Sequence, residues 1–158
     1  MKLLTANIPY SSYAWDELEE ADRQLVEAAR EATFSSYAPY SGFSVGAAIR
    51  LANGEVVRGS NQENVAFPSG TCAERCAMFY ANAQFPDVAP VAIAIAARGR
   101  DGNFTPQPIS PCGACRQVLL ESQGRYGTPL RILLFGAQQT YLLSGVQSLL
   151  PFQFDSMD

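Results

Sequence analysis

Val91-Ala92-Ile93-Ala94-Ile95-Ala96-Ala97 is the stretch on which the fold turns. It is a short, near-continuous apolar run, which predicts a strand covered on both faces rather than one with a wet side. Such a strand needs helices above and below its sheet, and the flanking sequence supplies them. Upstream, residues 71–84 read as a helix. Further upstream, Phe43, Val45, Ala47, Ile49 and Leu51 alternate with smaller or polar residues, Asn53-Gly54 offers a two-residue turn, and residues 55–59 return, giving a β-hairpin. Before the hairpin, residues 16–34 read as a helix. Asp16 and Glu19 form a capping box, and Ala21, Leu25, Ala28 and Ala32 recur at helical spacing. Downstream, a third helix follows Pro111 and runs to about residue 123, and residues 131–135 and 140–143 read as further strands. Helices that alternate with strands predict a layered α/β fold. There is no repeat, low-complexity block or linker, so residues 1–158 are expected to form one domain, with residues 1–14 as an N-terminal extension.

Composition narrows the function. A chain of 158 residues can bury about 70% of the surface its unfolded form exposes, so it does not need disulfides to fold. No run approaches the roughly 18 apolar residues of a membrane helix, and the first residues lack the layout of a signal peptide. A cytoplasmic protein with reduced thiols is expected. The net charge is −4 and the basic residues are scattered singly, so no positive stripe exists to track a phosphate backbone. A nucleic acid polymer and a membrane are both unexpected partners.

The four cysteines fall in two close pairs, Cys72 with Cys76 and Cys112 with Cys115, a pattern of metal or redox chemistry in a cytosolic chain. The chain has no histidine, so a metal must rest mainly on sulfur and the general base is expected to be a carboxylate. Cys72, Cys112 and Cys115 lie at or near the first turns of expected helices, where free N–H groups and the helix dipole favour thiolate. Three thiolates leave one corner of a tetrahedral zinc open for water, as a catalytic site does and a structural site does not. Three thiolates also make zinc a poorer acid. Arg75, one turn after Cys72, is placed to donate hydrogen bonds to the sulfurs and offset this. Glu74, in the same turn, can serve as proton carrier without ligating the metal.

Thr71-Cys72-Ala73-Glu74-Arg75, followed by Pro111-Cys112-Gly113-Ala114-Cys115-Arg116-Gln117, closely resembles the small zinc-dependent cytidine deaminases. The resemblance runs from about residue 37 to 154 and takes in Tyr37-Ala38-Pro39-Tyr40-Ser41-Gly42-Phe43 and Asn61-Gln62-Glu63-Asn64. It implies a three-layer α/β/α sandwich around a mainly five-stranded mixed sheet. It also implies one Zn2+ per chain on Cys72, Cys112 and Cys115, and hydrolytic deamination of cytidine and deoxycytidine in pyrimidine salvage. In that chemistry a metal-activated water attacks C4 of the pyrimidine while Glu74 moves a proton to N3 and later to the departing ammonia. Asn61 and Glu63 suit the ribose hydroxyls as donor-acceptor and pure acceptor, while Gln62 turns away and contributes backbone. Ala73, Phe67 and Phe43 complete the expected substrate contacts together with Phe154, which comes from another subunit of a homotetramer with shared sites.

Two departures stand out. Phe67 replaces the family's usual tyrosine, beside an unusual Pro68-Ser69-Gly70, so a hydroxyl that would serve the nucleoside's 5′ side is absent. The C-terminal Leu149-Leu150-Pro151-Phe152-Gln153-Phe154 is bulkier than the pattern, and either Phe152 or Phe154 is placed to reach a neighbour. Other readings compete. Thr71 and Glu74 also make a capping box. Cys76 with the other three cysteines has the spacing of a closed structural zinc site, although a small, buried core residue is its plainer role. Cys112-Gly113-Ala114-Cys115 alone has thioredoxin-like spacing. Within the same chemistry, a cytosine-bearing analogue such as blasticidin is the alternative substrate.

Overall fold

The computed structural model describes residues 1–157. Its six strands are β1 (Ser11–Tyr13), β2 (Ser44–Leu51), β3 (Val56–Ser60), β4 (Pro90–Arg98), β5 (Arg131–Phe135) and β6 (Thr140–Leu143). Its three α-helices are α1 (Glu20–Ala32), α2 (Ala73–Gln84) and α3 (Gly113–Tyr126). The sheet order is β1-β6-β5-β4-β2-β3, with β4 and β5 parallel and the other pairs antiparallel. A parallel neighbour needs a crossover, and α3 provides it between β4 and β5.

The alternation in β4 decides the layers. Ala92, Ala94 and Ala96 pack with Leu25, Val26 and Ala29 of α1, whereas Ile93 and Ile95 pack with Ala77 and Met78 of α2 and Leu119 of α3. The sheet is therefore covered on both faces, as the apolar run predicts. The alanine face lets α1 lie close, and the isoleucine face fills the wider space under two helices. Glycines mark the tightest approaches. At Gly59 of β3 an added Cβ would lie 2.5 Å from the Ala77 nitrogen and 2.7 Å from the Ala73 oxygen, so the start of α2 rests directly on the strand.

The α/β class and the element order match the expectation, and five details differ. The sheet has six strands, because Ser11–Tyr13 in the supposed extension adds an edge strand to β6; three exposed or half-buried residues carry no alternation that sequence could reveal. The hairpin loop is residues 52–54, not two residues: Leu51 donates to the Glu55 carbonyl at 2.9 Å, and Gly54 takes φ +91°. The Asp16–Glu19 capping box does not form. A 3-10 turn at Trp15–Glu17 precedes α1 instead, and the Glu17 carboxylate accepts the Ala14 N–H at 2.7 Å. The buried face of α1 is Asp22, Leu25, Val26, Ala29 and Ala32, while Ala21 is exposed. A charged residue in that face obscured its phase. Asp22 is buried because Arg131 of β5 donates to it at 2.7 Å. Lastly, α3 continues to Tyr126, and Gly127 at φ +59° ends it.

No helix among the described residues is long and apolar enough to cross a membrane.

Gly59→Ala forces α2 off β3 and is expected to destabilise the fold by about 1–3 kcal/mol. Urea denaturation followed by circular dichroism measures it; an unchanged midpoint would show that α2 has slack at this contact.

Candidate active site

The antiparallel pairing of β2 with both β3 and β4 makes β3 and β4 run the same way, so their carboxyl ends lie on one side of the sheet. The helices that follow them begin there. Cys72 is the N-cap of α2 and Cys112 the N-cap of α3: their carbonyls accept the first helical bonds, from the Cys76 N–H at 3.0 Å and the Arg116 N–H at 2.9 Å. Thr71 is not the cap. Its N–H and C=O are both paired with Gln62 at 2.9 Å, which keeps it extended and leaves Cys72 as the first residue free to turn. The competing Thr71–Glu74 capping box is therefore not made.

Cys115, in the first turn of α3, completes a sulfur cluster. Sγ of Cys72 lies 3.7 Å from Sγ of Cys112, which lies 3.5 Å from Sγ of Cys115, and all three fall within 4.8 Å of one another. Among the described residues this is the group able to hold a metal ion. Cys76 is not in it. Its side chain faces a different cleft, with Glu31, Phe34, Ser35, Arg58 and Ser60, and it is half-buried rather than packed in the core. The donor set is three soft sulfurs with no fourth protein ligand among the described residues, which fits zinc with one coordination position left over.

The charge balance of the cluster points the same way. A hydrogen bond from the Cys115 thiol, with others from Arg75 and Cys112, pulls the Cys72 thiol down to about 5. Cys115 is pushed far above the ordinary thiol range, chiefly by that bond to Cys72 and by burial. Three sulfurs this close cannot all ionise alone, and a dication among them removes the conflict. Arg75 Nη2 lies 3.9 Å from Cys72 Sγ, where it stabilises the negative sulfur. Glu74, the second residue of α2, is only 4% exposed. Burial, and secondarily the Cys72 charge, push its carboxyl above the ordinary carboxylate range.

A cleft of about 420 Å³ opens onto Cys72 and Arg75, walled by Tyr40, Ser41, Asn61, Gln62, Glu63 and Phe67. Its floor is the extended segment 61–63, held by Tyr37 on one side and Thr71 on the other. Asn61 and Glu63 therefore share one side of the chain, as expected from their spacing. Both already have protein partners. Asn61 Oδ1 accepts the Val45 N–H at 2.8 Å and its Nδ2 donates to the Phe43 carbonyl at 2.9 Å. Glu63 Oε2 accepts the N–H groups of Tyr40 at 2.8 Å and Ser41 at 3.2 Å. Hydrogen bonds from Ser41 and Tyr40 hold the Glu63 carboxyl below its ordinary range. The Gln62 amide turns away to Ser60 and Ser35 as expected, but its backbone N–H and C=O are both taken by Thr71, so it contributes wall rather than free backbone groups.

The remaining expected contacts divide. Phe67 lies on the cleft wall, 75% exposed, with its ring edge-on to Tyr40 at 5.8 Å. Ala73 is fully buried between Cys72 and Glu74. Phe43 is half-buried and is not part of the cleft wall, and Phe152 and Phe154 stand exposed outside it, the Phe154 carbonyl accepting from Gln117 at 2.8 Å. Tyr40 and Ser41 had no expected role. The stretch 37–43 stands out in the sequence only as a motif, and nothing in it announces the carboxylate that the Tyr40 and Ser41 N–H groups hold.

Residues 19–126 match the family described as the cytidine and deoxycytidylate deaminase zinc-binding region. The chain belongs to this family. It is 46% identical over 102 residues to a cytidine deaminase of Halalkalibacterium halodurans, covering 63% of this chain and 71% of that protein. It is 42% identical over 96 residues to a cytidine deaminase of Mycobacterium tuberculosis, covering 61% and 67%. Its fold superposes on a crystal structure of cytidine deaminase from Burkholderia pseudomallei with a TM-score of 0.70 at 39% identity, over 83% of this chain and 97% of that one. The deaminase family match takes in Cys72, Glu74, Cys112 and Cys115.

If three sulfurs suffice for the metal, Cys76→Ser keeps the metal content of the wild type and Cys112→Ser loses it. Elemental analysis of the purified proteins decides this; loss from Cys76→Ser would mean a closed four-cysteine site.

Proposed function

We propose that the protein is a zinc-dependent hydrolytic deaminase that converts cytidine and deoxycytidine, with water, to uridine and deoxyuridine plus ammonia. The observation that carries this reading is the placement of a buried Glu74 carboxyl beside three sulfurs at two converging helix starts. Cys72, Cys112 and Cys115 hold one Zn2+ per chain. Bound there, zinc supplies a Lewis acid that makes water acidic enough to act as a nucleophile near neutral pH.

The chain's own residues do the rest. Glu74 takes a proton from water and passes it to ring N3, which makes C4 electrophilic. Once the water oxygen has bonded to C4, Glu74 carries the proton of the new C4 hydroxyl to the exocyclic amine, and the C4–N bond breaks to release ammonia as the C4 carbonyl forms. Its raised carboxyl suits both directions of transfer. Arg75 draws negative charge from the Cys72 sulfur and so keeps the metal acidic. The other oxygen of Glu63 and the remaining amide valences of Asn61 hold the ribose hydroxyls. Ala73 offers backbone next to the reacting ring, and Phe67 gives an apolar wall where a hydroxyl would serve the 5′ side.

Phe43 and Phe154 supply aromatic surface for the base, the latter from a neighbouring subunit of a homotetramer. The exposure of Phe154 outside its own cleft, and of Phe79 and Tyr80 on α2, supports sharing between subunits. A pyrimidine salvage role in the cytoplasm follows from a free nucleoside substrate. The hydroxyl-free wall at Phe67 favours, as a second reading, a cytosine-bearing analogue such as blasticidin.

The test is ultraviolet-monitored conversion of cytidine by the zinc-loaded protein. Glu74→Gln is expected to lose at least about a hundredfold to ten-thousandfold in kcat with zinc still bound. A wild type inert to cytidine but active on the analogue would establish the second reading, and full activity in Glu74→Gln would remove the proton-carrier role. Arg75→Gln is expected to keep its zinc and lose activity; unchanged kcat would assign Arg75 to packing.

A further inference from the structure

Behind Glu63 stands a group that the chemistry so far leaves unused. Arg100 lies in the loop after β4, and its guanidinium reaches across to the turn at residues 38–42. Its Nη2 donates to the Tyr40 carbonyl at 2.7 Å and its Nε donates to the Ser41 carbonyl at 2.8 Å. The fork thus grips two consecutive carbonyls. The peptide that joins Tyr40 to Ser41 is shared: its C=O accepts from Arg100, while its N–H donates to Glu63 at 3.2 Å. One peptide group therefore connects the guanidinium to the carboxylate, and polarisation of its carbonyl strengthens its N–H as a donor.

The turn is built to admit this arm. Gly42 takes φ +67°, and a Cβ there would lie 2.4 Å from Cγ and 2.8 Å from Nε of Arg100. Its N–H closes the turn onto the Ala38 carbonyl at 2.9 Å. Arg100 is not drawn away by the acidic residue beside it, since Asp101 bonds the side chain of Asn103 at 2.8 Å. The positive charge of Arg100 also adds to the forces that keep the Glu63 carboxyl low.

We propose that Arg100 is a positioning residue for substrate: by clamping the Tyr40 and Ser41 carbonyls it holds their N–H groups on Glu63 Oε2, so that Glu63 presents its other oxygen to the sugar hydroxyls of the nucleoside. This rests on the reading of Glu63 as the sugar acceptor. Arg100 does not touch the nucleoside, and its effect is on binding of the sugar rather than on chemistry at the base.

The experiment compares the zinc-loaded wild type, Arg100→Ala, Arg100→Lys and Glu63→Gln on cytidine and on 2′,3′-dideoxycytidine, which lacks both hydroxyls. It also follows the Glu63 carboxyl by carbon NMR titration without substrate. Arg100→Ala is expected to raise KM for cytidine about tenfold, the scale of a hydrogen bond to a charged group, with kcat and the KM for the dideoxynucleoside within about twofold. Arg100→Lys, which keeps the charge without the fork, recovers only part of the loss. The Glu63 carboxyl titrates at higher pH in Arg100→Ala than in the wild type. An equal rise of KM on both nucleosides, full recovery by lysine, or an unmoved carboxyl overturns the proposal. If Glu63→Gln itself shows no sugar-dependent loss, the sugar reading of Glu63 fails, and with it the link to substrate, while the titration still decides whether Arg100 holds Glu63.

Discussion

Everything around the site depends on bringing two helix N-termini to one point. A helix start offers unpaired N–H groups and a partial positive charge, and it tolerates a sulfur anion that a protein interior would not. The structure brings two such starts side by side, with Cys72 capping one and Cys112 capping the other, and adds Cys115 from the second. Their proximity is a consequence of strand direction: β3 and β4 both run antiparallel to β2, so the helices that follow them must begin at the same edge. The sheet thereby turns two cysteines forty residues apart into one donor group.

Packing then fixes that group in place. Gly59 lets α2 rest on β3, Ala47, Ile49, Ile93 and Ile95 fill the space beneath α2 and α3, and the first turn of α2 is left no freedom to slide. The same rigidity buries Glu74 beside the sulfurs, and burial raises its carboxyl above the ordinary range. The opposite end of the cleft is built differently. Asn61 and Glu63 stand on an extended segment pinned between Tyr37 and Thr71, and each spends part of its hydrogen-bonding capacity on residues 40–45. The Cys72 end of the cleft is thus set by helix packing, and the Asn61 and Glu63 end by a web of backbone hydrogen bonds.

The legibility of the sequence follows this division. Residues 91–97 carry their meaning in a single apolar run, and the cysteine pairs carry theirs in spacing, so the layered fold and the three-sulfur group were readable in advance. Burial of an ion pair was not: Asp22 reads as polar and shifts the apparent face of α1, because Arg131 is more than a hundred positions away in sequence. Edge strand β1 has too few residues to show a period. Thr71 looked like a cap because its strand-like pairing with Gln62 is invisible locally. The hold of Tyr40 and Ser41 on Glu63 is made by backbone N–H groups, which every residue has, so no residue type announces it.

The proposed chemistry needs a metal held by three sulfurs with one position left for a light atom, and X-ray absorption at the zinc edge of the metal-loaded protein tests this most directly. The expected first shell is three sulfur scatterers at about 2.3 Å and one oxygen or nitrogen at about 2.0 Å. A shell of four sulfurs would contradict it, because Cys76 would then close the position on which the chemistry depends.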